Sequence, residues 1–220
     1  MESKKAIQWL AWFIILGSSI FLGLFLYPLP PRLETKPHEA LGQVLAEQAG
    51  KLLGSGGRLI VITRDTDTFT MPAAEAQWRS FQKTLRRAGT AIAVTRVLKV
   101  DPLRAVAVPA GDFFEILRKA SEADVVVSFL GPPALSPDQI AKLNGKQPRV
   151  LAVCTGALPP EVDLKALFAA KVLRVAILSR KDPPPGPPAD GSSSAWFERL
   201  YQMVTSENLG ELSARPEAPR

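Results

Sequence analysis

The chain has 220 residues, 46% of them hydrophobic, with 27 Lys and Arg against 21 Asp and Glu, a net charge of +6 and a pI near 9.6. A single Cys excludes an internal disulfide, and a single His argues against histidine-based catalytic triads and histidine-ligated metal sites. The basic residues are scattered, with only short runs at Lys83, Arg86 and Arg87 and at Arg180 and Lys181, which describes a solvated basic surface and not a nucleic-acid footprint.

The first five residues form a short leader carrying Lys4 and Lys5. Residues 6–27, AIQWLAWFIILGSSIFLGLFLY, then run without a charge. In a helix this stretch spans about 33 Å, enough for a hydrocarbon core of about 30 Å. A cleavable signal peptide is the competing reading, but its apolar core is shorter, about 7–15 residues, and ends at a small-x-small site. Here the run continues to Leu26 and meets Tyr27, Pro28, Leu29, Pro30 and Pro31, a poor cleavage site, and Cys154 lies far from any lipidation position. The expectation is an uncleaved signal-anchor helix, with Trp9, Trp12 and Tyr27 at the interfaces. The leader is expected in the cytoplasm and the main domain in the periplasm, making a single-pass protein of the cell membrane. Arg32 and Lys36 beyond the helix make the positive-inside bias slight. Ser19 and Gly23 form a small-xxx-small pattern that admits a neighbouring helix, with a lipid-facing helix as the plainer alternative.

Residues 28–37 read as a Pro-containing tether, and 38–180 as one α/β domain. The domain opens with a helix over 38–53, where Leu41, Leu45, Ala49 and Leu52 share a face before Gly54 stops it. Strands are expected at 59–63, 92–97, 125–129, 150–154 and 172–178. The nearly continuous apolar runs LIVI, VVVSF and VLAVC suit a parallel sheet covered on both faces. Helices fall between them at 72–88, 112–120, 137–143 (with Ser136 as N-cap) and 161–170. The alternation predicts an N-terminal transmembrane helix followed by a Rossmann-like three-layer domain with a five-stranded parallel sheet of order 2-1-3-4-5.

Residues 181–194, rich in Pro, Gly and Ser, read as an extended linker. An amphipathic helix follows over 195–205, carrying Trp196, Phe197, Leu200 and Met203, and 206–220 read as a flexible tail. That helix either docks back on the sheet or holds a partner, so the same four residues are the partner-binding candidates.

The order of parts from Arg58 to Arg180 resembles one lobe of a type 1 periplasmic sugar-binding protein. It runs from the strand ending at Thr63 and its polar loop through a helix with Trp78 and Phe81, then "FFEILRKASEADVVVSFLGPP" and "PRVLAVCTG". The resemblance implies the fold and a link to transport or sensing. Members bind between two lobes, whereas the length here matches one, so ligand binding is not carried over with the fold.

No GxGxxG follows a strand, and neither a GxxxxGK[ST] loop nor a CxxC pair occurs, so no cofactor is implied. Polar residues collect instead at the expected C-terminal ends of strands, where open α/β sheets place ligands. These ligand-binding candidates are Arg64, Asp65, Thr66, Asp67 and Thr68 after the first strand, Ser128 and Gly131 at the third, and Thr155 at the fourth. Asp65 and Asp67 suit Mg²⁺ or a polyol, or equally a solvated turn before Pro72. Cys154, with no histidine base beside it, reads as an ordinary buried thiol. The sequence therefore leads to a membrane-anchored, non-enzymatic extracytoplasmic binding or structural domain, an accessory subunit whose partners are other membrane-complex proteins. Two alternatives stand beside it: a sensor of a small polar ligand such as a sugar or polyol, possible after dimerisation supplies the second lobe, and a metal-dependent hydrolase using Asp65 and Asp67.

Overall fold

A computed structural model describes residues 2–26, 33–65, 71–98, 108–143, 147–156, 158–159 and 161–210. The chain divides into two units, Met1–Glu34 and Thr35–Arg220.

The first unit is dominated by one helix, α1 (Glu2–Leu26). Its large apolar side chains from Trp9 to Leu22 are between 55% and 69% exposed where they are described. Among the described residues no helix is long and apolar enough to cross a membrane. The transmembrane segment expected at 6–27 therefore draws no support from the described residues.

The second unit opens with α2 (Lys36–Leu52) and then alternates: β1 (Leu59–Arg64), α3 (Pro72–Arg87), β2 (Ile92–Leu98), α4 (Ala110–Lys119), β3 (Val125–Ser128), α5 (Pro137–Lys142), β4 (Arg149–Cys154), α6 (Leu164–Ala169), β5 (Leu173–Ser179), α7 (Ser193–Leu200) and β6 (Tyr201–Val204). The sheet order is β2-β1-β3-β4-β5-β6. Every pair is parallel except β5 with β6, which is antiparallel. The expected order of the first five strands is the one found.

Strand side chains alternate between two cores, as a period of two requires. Leu59, Val61, Val125, Val127, Leu151, Val153, Val175 and Ile177 face α2, α3 and α7. Ile60, Ile62, Val126, Val150, Ala152, Cys154, Leu173 and Ala176 face the side covered by α4 and α6. The central strands β1, β3 and β4 are thus buried on both faces, which is why they read as unbroken apolar runs. At the edge, β2 is half-covered, and its Val97 is 56% exposed.

Local chemistry sets the helix limits. Ser136 caps α5 in a reciprocal capping box with Gln139, Asp163 accepts from the Ala166 amide, and Ser192 accepts from the Ala195 amide. Pro72 occupies the first turn of α3, and Gly89 ends it with φ of +68°. At the N-terminal ends of β1 and β3, Asp124 is 1% exposed and ties three groups together. It accepts from the Arg58 amide at 2.7 Å, the Arg58 Nη2 at 2.7 Å and the Ser121 amide at 2.8 Å.

Two expectations need correction beyond Arg180. The sheet has six strands, not five, and it is mixed. The amphipathic helix expected at 195–205 ends at Leu200, and Tyr201–Val204 form β6. The apolar stripe of Trp196, Phe197, Leu200, Met203 and Val204 fits a helix in sequence. The outer edge of β5 nevertheless needs hydrogen-bonding partners, and the residues after Leu200 supply them. Residues 181–192 are irregular, yet they are fastened rather than loose. The Arg180 guanidinium donates to the carbonyls of Glu198 and Tyr201, and Arg199 donates to those of Pro184 and Pro185.

Candidate functional site

Strand order reverses between β1 and β3, so the loops leaving those strands diverge to opposite faces and open a crevice at their C-terminal ends. A cleft of about 420 Å³ lies there. It is lined by Arg64 at the end of β1, Phe129, Leu130, Gly131, Pro132 and Ala134 after β3, Val153, Cys154, Thr155 and Gly156 at the end of β4, and Val108, Leu158, Pro159 and Val162 from the surrounding loops.

The floor is fixed by backbone and ring contacts. The Phe129 amide donates to the Ile62 carbonyl at 2.9 Å, extending the β1–β3 ladder by one rung. The Phe129 ring meets Phe81 and Trp78 edge-on, with centroids 5.3 Å and 5.9 Å apart, while Trp78 and Phe81 stack at 5.8 Å. Ser128 lies fully buried just beneath, its Oγ accepting from the Leu130 amide at 3.3 Å. Gly131, with φ of +95°, turns the chain over the cleft. On the far side the Ser179 hydroxyl donates to the Thr155 carbonyl at 3.0 Å.

Three lining side chains carry functional groups. Arg64 is half-buried, and its Nη1 stands 3.0 Å from the Met71 sulfur. Burial lowers its pKa from the ordinary guanidinium value, and a guanidinium stays a cation at neutral pH. Burial pushes the Cys154 thiol up to about 12, so it stays protonated and a poor nucleophile. Thr155 contributes a hydroxyl. The lone histidine, His38, sits on α2, where its Nδ1 accepts or donates at 3.4 Å with the Gln77 amide, and burial lowers its pKa. It is not among the residues lining the cleft.

Of the eight ligand-binding candidates, the cleft gathers Arg64, Gly131 and Thr155. Ser128 supports it from below through its bond to Leu130. Asp65 is not among the lining residues, and its backbone amide donates to the Leu98 carbonyl. Thr66, Asp67 and Thr68 lie outside the described residues. Among the described residues no group of three or more His, Cys, Asp and Glu side chains is placed to hold a metal ion. The apolar walls, from Phe129 to Val162, escaped the sequence reading. Their only sequence signal is a run of Leu and Pro just beyond two buried strands, which looks the same whether it roofs a cleft or a core.

The partner-binding candidates separate likewise. Trp196 and Phe197 are 8% and 7% exposed, packed into the core between α2 and the sheet, and Leu200 and Met203 pack against that core half-buried. The stripe thus packs against the domain itself.

No protein-family model matches the chain, and no curated protein matches it. Solved structures do match. One is a periplasmic ribose ABC transporter protein from Conexibacter woesei, 14% identical, with 81% of this chain and 60% of that one covered at a TM-score of 0.50. A carbohydrate transporter solute-binding protein from Agrobacterium radiobacter, in complex with D-arabinose, is 11% identical, with 80% and 61% covered at 0.48. A third, a LacI-type transcriptional regulator from Bacteroides fragilis, is 12% identical, with 80% and 61% covered at 0.47. The chain therefore spans about 60% of the length of these structures. Identities this low speak for fold alone, and the fold of the second unit is that of a type 1 periplasmic binding protein-like domain.

Proposed function

We propose that the protein is a membrane-anchored, non-enzymatic binding module that takes a small polar ligand at the C-terminal ends of β1, β3 and β4. The observation that carries this reading is the cleft of about 420 Å³ at the point where strand order reverses, with Arg64 as the one charged lining residue among those described. The polar side chains among the described lining residues are a guanidinium, a thiol with its pKa near 12 and a hydroxyl, a set suited to binding. The solved structures that share the fold include proteins described as binding sugars, which supports a small polar ligand.

Anchoring rests on residues 6–27. The helix α1 is 25 residues long, about 37 Å at 1.5 Å per residue, and its described apolar side chains from Trp9 to Leu22 are exposed around the helix. An apolar surface of this kind needs lipid or protein against it. With the leader in the cytoplasm, the second unit is extracytoplasmic, in the periplasm. A second reading, an accessory subunit of a membrane complex, draws on the same exposed helix and its small Ser19 and Gly23. The hydrolase reading depends on Asp67, which lies outside the described residues.

The test is a thermal-shift screen of the full chain in detergent against neutral sugars, polyols and small organic anions, repeated with Ala134→Phe, which fills the cleft from its wall. A rise in Tm that Ala134→Phe removes is the expected result. A rise that survives the filled cleft places the ligand elsewhere, and no rise with any class refutes a small-ligand role.

A further inference from the structure

Building on that assignment of the cleft, we propose that its ligand is a small organic anion, a carboxylate held by Arg64 with a short apolar body lying on the walls around Phe129, Leu130, Leu158 and Val162. The ligands named for the fold's solved relatives are sugars, and the lining departs from what a neutral sugar needs.

A sugar presents hydroxyls on every side, each of which loses its hydrogen bonds to water on entry. A site that accepts one must return them through several converging donors and acceptors. Here the lining offers no Asp, Glu, Asn or Gln among the described residues. The Phe129 ring, the one aromatic among the described lining residues, has two of its approaches taken by Trp78 and Phe81. Most hydroxyls of a bound sugar would face Val, Leu and Pro side chains, at a cost that one Arg and one Thr cannot offset.

Arg64 points the other way. A guanidinium carries five N–H donors in a flat fork that matches a carboxylate. Among the described residues its side chain has one hydrogen-bonding contact, Met71 Sδ at 3.0 Å, a weak acceptor, and no carboxylate contact. Half-buried beside an apolar wall, it is a cation short of acceptors among the described residues. A bidentate carboxylate satisfies it, and the field is stronger for the missing water. A compact inorganic anion such as sulfate would pair with the same fork but leave the apolar walls hydrated, so a short hydrocarbon body adds binding that sulfate lacks, about fourfold in affinity per buried CH₂.

Isothermal titration of the full chain in detergent with acetate, butyrate, 3-methylbutyrate, sulfate, ribose and arabinose tests this directly. Affinity should climb from acetate to 3-methylbutyrate and exceed that for sulfate. It should fall by about tenfold or more in Arg64→Gln and by less in Arg64→Lys, which keeps the charge without the fork. Should Arg64→Gln fail to fold, the chain-length series and Arg64→Lys still decide. Ribose or arabinose binding that Arg64→Gln leaves intact and Ala134→Phe removes overturns the anion while the cleft remains a ligand site. Sulfate binding as tightly as 3-methylbutyrate overturns the apolar body. Silence from every compound overturns both the anion and the cleft.

Discussion

Asp124 shows how much a single buried charge can hold. Taking it out of water favours the neutral acid, but the Arg58 side chain, the Ser121 amide and the Arg58 amide all bond the ionised form and outweigh that, leaving its pKa at about 2 against an ordinary 3.8. Folding therefore favours the deprotonated carboxylate. The stabilisation is complete above about pH 4 and drains away as pH falls towards 2, where the folded state must protonate too. The difference corresponds to about 2 kcal/mol. Urea denaturation between pH 2 and 7 should show this acid limb in the native protein and a flatter one in Asp124→Asn. An unchanged limb in the variant would assign acid sensitivity elsewhere. The Asp–Arg pair was visible in sequence only as two separate residues, Arg58 before one strand and Asp124 before another. Their 66-residue separation is closed by the parallel pairing of β1 with β3.

At the scale of elements, the close approach of α2 and α3 depends on Gly42. A β-carbon there would run into the backbone oxygen of Gln77, and nearby Ser80 donates to the Glu39 carbonyl at 2.7 Å to lock the same contact. Gly50, on the exposed side of the same helix, has open space where a β-carbon would stand. Substituting each by Ala should separate packing from propensity. Gly42→Ala should destabilise by about 1–3 kcal/mol through forced separation of the helices, and Gly50→Ala should stabilise by about 0.5–1 kcal/mol through lower chain entropy. Thermal or urea unfolding of the pair gives the signs directly, and equal effects would mean that α2 and α3 do not meet as closely as the geometry requires. Sequence periodicity placed these helices well because an apolar face at a 3.6-residue spacing is a local signal. It misjudged 201–204 because Tyr-Gln-Met-Val fits either periodicity over four residues, and the unfilled edge of β5 decided between them.

For the molecule as a whole, the open question is what covers α1. If residues 6–27 anchor the chain, alkaline carbonate washing of membranes should leave the protein in the pellet. Replacing Ile14 and Ile15 with Asp should release it, because two charges near the middle of the span cost several kcal/mol in hydrocarbon. Release of the unaltered protein by carbonate would rule out a spanning helix and leave the apolar stretch to bind another protein.

The sequence by itself determined the class of fold, the order of the five parallel strands and the end of the sheet where polar groups gather. Each follows from local rules: apolar runs for buried strands, amphipathic helices between them, and right-handed crossovers. Only the tertiary structure decided which residues share a site. Arg64, Gly131 and Thr155 come from three strands and meet across the reversal point, Ser128 is drawn beneath them, and Trp196 is drawn inward to the core by a sheet edge that needed closing. Such meetings are long-range consequences of strand register, which no short window of sequence contains.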